Sequence, residues 1–149
     1  MSVTKGERRD SKVEFDNTYF KIHDDAVKLI RYNFGASKEV IEVASNYIKV
    51  VSSKILSDIL DIGTSIRIAN SIYPRNKMEL ETRRLYQDKA IGLCFDLLTK
   101  YQLIMRTLGV KDDKYTIETG NIVHEINCLK SWRASDNKRF ISWIYFHAD

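Results

Sequence analysis

The chain holds a single proline, Pro74, among 149 residues, and helical patterns lie on both sides of it. Proline donates no backbone hydrogen bond and pushes the preceding residue away from the α region. A helix is therefore predicted to end near Tyr73. Asn76 is placed to cap the next helix, with Glu79 three residues later at the capping-box position. The connection is about five residues, which predicts antiparallel neighbours. With only six glycines besides, the chain has few turn signals, so long helices are favoured over a turn-rich β fold.

Taken in order, residues 1–10 read as a polar arm. Ser11 and Glu14 form an S-x-x-E capping box that predicts a helix start. Phe15, Tyr19, Ile22, Ala26 and Leu29 then follow at helical spacing, and Gly35 is the stop signal. A second helix is predicted to begin between Ser37 and Ser45, with a break near Val43. Its stripe is Ile48, Val51, Ile55, Ile59, Ile62, Ile66, Ala69 and Tyr73. Gly63 interrupts the pattern, and so many β-branched residues leave the helix dependent on packing.

The third helix carries Ile91, Cys94, Leu98, Tyr101, Met105 and Leu108 as its main stripe. Ala90, Leu93, Leu97 and Ile104 lie beside it, and a face this wide suits neighbours on two sides. Traced back toward the turn, the main stripe reaches Gln87 and Arg84. Gly109 is predicted to end this helix. Asp112 or Asp113 is then placed to cap a fourth, with Tyr115, Ile122, Ile126 and Leu129 inside and Val123 and Trp132 beside them. Residues 140–149 form a short apolar tail. The expectation is one all-α domain over residues 1–149, an antiparallel up-down-up-down four-helix bundle.

That topology gathers charge. It brings the start of helix 1, the end of helix 2, the start of helix 3 and the end of helix 4 to one pole. Residues 1–12 carry +2, residues 67–89 carry +3 and residues 130–139 carry +3. The whole chain is +4 with a pI near 9, so the remainder is acidic. The residues nominated for nucleic-acid contact are Arg75, Lys77, Arg83, Arg84, Lys89, Lys130, Arg133, Lys138 and Arg139. Lys and Arg release counterions from phosphate backbones, and Tyr73, Tyr86, Trp132 and Phe140 lie among them to stack on unpaired bases. Two readings compete with this one: a solvated bundle end, and core positions for the aromatics.

Other chemistry has little support. His23, His124 and His147 sit on separate elements, and adjacent acids point to other helix faces. Cys94 and Cys128 lie in apolar patterns and read as reduced thiols. There is no G-x-S-x-G, and the glycines are too scattered for a phosphate loop. No catalytic residue, metal or cofactor is expected. No apolar run reaches the roughly 18 residues of a membrane span, and the N-terminus does not read as a signal peptide, so a cytoplasmic protein is expected.

Four motifs in order resemble a known family. They are V-x-K-x-E-R-x-x-S (Val3, Lys5, Glu7, Arg8, Ser11), A-N-S-I-Y-P (Ala69 to Pro74), R-R-x-Y (Arg83, Arg84, Tyr86) and W-R-x-S-D-N-K-R (Trp132 to Arg139). Over about residues 3–140 the chain resembles the accessory variability determinant (Avd-like) proteins of diversity-generating retroelements. Those are related to bundle proteins encoded in intervening sequences of ribosomal RNA genes. The resemblance implies a homo-oligomeric ring, a pentamer, with a basic surface for RNA or DNA and a reverse transcriptase partner. It implies a non-catalytic role in template-repeat cDNA synthesis. The ribosomal branch supplies the alternative, an oligomeric interaction module that binds protein only.

Overall fold

The structure, a computed structural model, describes residues 5–142 and 144, with side chains for 17–111, 113–142 and 144. Its elements are α1 (Lys5–Arg31), α2 (Lys38–Ser71), α3 (Lys77–Leu108) and α4 (Thr116–Asp136). Short 3-10 turns at Asn33–Gly35 and Asp112–Tyr115 join α1 to α2 and α3 to α4. A π-helical turn, Asn137–Ile141, prolongs α4. The described residues are all-helical without strands, and the four helices pack together.

The helix ends follow local chemistry. Ser37 caps α2, accepting from the Val40 amide at 3.3 Å. Asn76 caps α3 by accepting from the Glu79 amide at 2.9 Å, while its own amide donates to Glu79 Oε1 at 3.0 Å. Gly109 closes α3 in the left-handed region, φ 68, where glycine has no Cβ penalty. At 32 residues and roughly 1.5 Å each, α3 is about 48 Å long. Ala44 leaves helical geometry (φ −103, ψ 15), which places the α2 break beside Val43.

Two expectations need correction. α1 begins at Lys5, inside the segment read as an arm, so Ser11 lies within the helix. Side chains this early in α1 lie outside the described residues. The N-cap position of α4 is Tyr115 rather than Asp112 or Asp113, and no side chain caps it. The segment after Leu129 remains helical through Trp132 to Asp136 and beyond.

One core runs the length of the packed helices. Ile22, Ala26, Phe34, Ile55, Ile59 and Ile62 meet Ala90, Cys94, Leu97, Tyr101, Ile122, Ile126 and Leu129. The deep face of α3 is rotated from the expected one. Ala90, Leu97 and Ile104 are fully buried with Cys94, whereas Ile91 and Leu98 lie at the margin, partly buried. Gly63 has a packing reason. A Cβ there would lie 2.3 Å from the Tyr19 hydroxyl, which donates to the Ile59 carbonyl at 2.8 Å.

A second, smaller cluster lies at the Pro74 turn. Leu80, Phe140 and Ile144 are buried together with Ile141 against them. Phe140 and Ile144 are thus covered by their own chain, not left as surface. Trp143 and residues 145–149 of the apolar tail lie outside the described residues.

Candidate nucleic-acid interface

The site is built where the α2–α3 connection meets the turn after α4. Arg83 on α3 is 7% exposed and forms a two-pronged ion pair with Asp136 on α4. Its Nε donates to Oδ2 at 2.6 Å and Nη2 to Oδ1 at 3.1 Å. Nη1 donates to carbonyls at the C-terminal end of α2, Ala69 in its last turn at 3.2 Å and Ile72 at its C-cap at 2.8 Å. Gln87 also donates to Asp136 Oδ2, at 2.6 Å. The guanidinium lies 5.1 Å from the Trp132 ring and 5.5 Å from the Phe140 ring. Planar bidentate pairing and ring contact both suit arginine better than lysine. This network ties α2, α3 and α4 together in one buried knot.

Around the knot the nominated residues separate. Arg75 is exposed and pairs loosely with Glu79 at 3.5 Å. Lys77, Lys138 and Arg139 are also exposed. Arg139 packs its guanidinium 5.8 Å from the Tyr73 ring and 5.0 Å from the Phe140 ring. Tyr73 meets Phe140 edge-on, with centroids 5.5 Å apart and planes at 89°. These contacts bring the segment that carries Arg75 and Lys77 beside the one that carries Lys138 and Arg139.

The other nominations stand apart. Arg83 is removed from the surface set: buried and engaged by Asp136, it offers no charge to a ligand. Arg84 is half-buried, and its Nε is buried without a hydrogen-bond partner. Arg133 pairs with Asp88 at 2.6 Å, partly exposed. Lys130 lies over the Phe95 ring at 5.2 Å, and Lys89 is exposed on α3. Lys130 and Arg133 border an open groove of ≈ 350 Å³ between α3 and α4, together with Asp88, Ile91, Ala134 and Asn137. They flank the site along the helices instead of completing its end.

Arg84, where the main stripe of α3 reaches its polar end, lies one residue from the buried Arg83. The signal that finds it is the neighbouring stripe. Leu97, Cys94, Ala90, Gln87, Arg83 and Leu80 keep strict helical spacing, and all six are buried. Of the aromatics named for stacking, Phe140 is buried and Tyr86 and Trp132 are partly buried. Tyr73, expected in the α2 stripe, is instead 66% exposed because α2 stops at Ser71.

Reactive chemistry is sparse. Cys94 is a buried free thiol whose pKa burial pushes up to about 12, with the Glu125 charge adding to the effect. A thiol held protonated is a poor nucleophile. Cys128 Sγ lies 3.7 Å from His124 Nε2 on the next turn. His23 does meet its neighbour Asp24, at 3.1 Å, contrary to the expectation that adjacent side chains diverge. Among the described residues no three His, Cys, Asp or Glu side chains gather as a metal site, and no helix is long and apolar enough to cross a membrane. No family model matches the chain, and no curated protein or solved structure matches it significantly.

Proposed function

We propose that this chain is a non-catalytic, nucleic-acid-binding accessory protein of a retroelement reverse transcriptase. The observation that carries the binding half is the cluster of Arg75, Lys77, Lys138 and Arg139 around the Arg83–Asp136 knot. Four exposed cations from two segments face solvent together, and such a patch attracts phosphate backbone by counterion release. The reverse transcriptase partner and the role in template-repeat cDNA synthesis rest on the four-motif resemblance.

In this reading the helices run up-down-up-down. The order of contacts supports it: Asp58 and Ala69 on α2 meet Lys100 and Arg83 on α3, and Asp25 on α1 meets Asn121 on α4. Subunits then form a ring, a pentamer, that repeats the patch. Multivalency would combine modest contacts into useful affinity. The accessory protein holds the strand, and the polymerase does the chemistry.

The protein-only module remains a second reading because α3 also exposes large apolar side chains, Met78, Leu85 and Leu103. Apolar surface of that kind suits a protein partner. Replacing Arg75, Lys77, Lys138 and Arg139 together by Gln separates the two. Labelled RNA is titrated at two salt concentrations, with circular dichroism confirming the fold. The parent should show a log–log salt slope of about −0.7 per phosphate neutralised on single strands, or about −0.9 on duplex. The variant should bind more weakly with a shallower slope. Equal affinity and slope would favour the protein-only module.

A further inference from the structure

We propose that Tyr73 is a base-stacking platform that makes this pole select unpaired strands, RNA or DNA, over duplex. The inference rests on the nucleic-acid reading above and names the ligand class for it. Three observations converge. Tyr73 keeps 66% exposure although it sits among residues packed into a knot. Its ring is braced edge-on by buried Phe140, and Arg139 lies 5.8 Å from its centroid. Its backbone is held from both sides: Arg83 grips the Ile72 carbonyl at 2.8 Å, and Pro74 is buried.

An exposed tyrosine alone would mean little. A ring fixed by its neighbours differs, because it reaches the bound geometry without an ordering cost. Every base offers a π face, so stacking on such a ring is tolerant of sequence. In a duplex those faces are already occupied by neighbouring bases. Phosphates flanking a stacked base would fall to Arg139, which lies by the ring, and to exposed Arg75, two residues along the chain. Cations alone bind both strand forms; the platform adds affinity to the unpaired form only.

The test compares parent, Tyr73→Ala, Tyr73→Leu and Tyr73→Phe on unpaired oligoribonucleotides, unpaired oligodeoxynucleotides and a duplex of equal length at one salt concentration. Leu keeps an apolar contact with Phe140, so it answers any loss of folding in the Ala variant. Ala and Leu should weaken unpaired binding by about five- to a hundredfold, the range for one lost base stack. Duplex affinity should change less than twofold, and Phe should restore the unpaired affinity. Loss on only one of RNA and DNA would restrict the platform to that strand. Equal losses on duplex and unpaired strands, or failure of Phe to restore binding, overturn the platform and leave the basic patch standing. A parent that binds no nucleic acid overturns both.

Discussion

At the Pro74 end, a guanidinium and a carboxylate lie buried against each other, and Arg83 also grips the Ala69 and Ile72 carbonyls at the C-terminal end of α2. At the opposite end, the Asn33–Gly35 and Asp112–Tyr115 turns meet through neutral groups. Phe34 and Tyr115 are buried there, and the Tyr115 hydroxyl donates to the Phe34 carbonyl. Asn33 and Phe34 take positive φ (52 and 59), a strained choice for non-glycine residues. Deep burial of the Phe34 ring offsets that strain. Both ends join two connections, but only the charged joint fixes direction as well as proximity. Two prongs of Arg83 on two oxygens of Asp136 set the angle at which the segments that carry the exposed cations meet.

The largest expected difference between the ends comes from breaking that pair. Asp136→Ala leaves the Arg83 charge buried without its partner, which costs about 3–5 kcal/mol. Replacing both partners with apolar residues, Arg83→Met with Asp136→Leu, removes the stranded charge. The double variant should therefore be more stable than Asp136→Ala, although the α2 carbonyls lose their donor. Urea unfolding of the three proteins measures this. A single-variant loss under about 1 kcal/mol would mean that water reaches the pair and the joint is not a buried one.

The legibility of the two ends from sequence differs for the same reason. Local rules wrote the boundaries: Pro74 ended α2, Asn76 with Glu79 opened α3, and Gly109 closed it. Apolar spacing located most of the core. It failed where a charged residue took a core position. Leu129, Asp136, Phe140 and Ile144 share the buried side of the α4 segment, but Asp136 breaks the apolar pattern. Asp136 is buried only because Arg83 meets it from another helix, and no single-helix pattern contains that fact. The same gap placed Arg83 among surface cations and Arg84 in the core trace. The Lys5 start of α1 was hidden by the better capping signal at Ser11.

The neutral end should respond to alkali. Burial, with the Glu118 charge second, raises the Tyr115 pKa above its ordinary value, so the folded state favours the neutral hydroxyl. Tyr101, packed ring to ring with it, is raised chiefly by burial too. A raised folded pKa gives stability that is full below the unfolded value of about 10 and is lost as pH rises above it. Tyr115→Phe should cost about 0.5–1.5 kcal/mol at neutral pH by losing one hydrogen bond. It should also lose less stability than the parent between neutral pH and alkaline pH above 10. An unchanged alkaline profile in the variant would assign that loss to Tyr101, Tyr19 or Cys94, whose pKa values burial also raises.

The smallest expected effect tests whether burial, and not charge pairing as such, distinguishes the Arg83 joint. Arg133 and Asp88 also pair between α4 and α3, at 2.6 Å, but their side chains are 32% and 52% exposed. Water screens such a pair, and ordering two long side chains opposes it, so its coupling should be about 0.2–1 kcal/mol. A double-mutant cycle of Arg133→Gln and Asp88→Asn measures the coupling directly. Raising salt toward 1 M shortens the screening length to about 3 Å and should erase it. The Arg83–Asp136 coupling, shielded from ions by Trp132 and Phe140, should persist under the same salt. If both couplings fall together, the knot is open to solvent. Its hold on the Tyr73 segment would then weaken at high salt, and loss of nucleic-acid binding with salt would no longer report phosphate contacts alone.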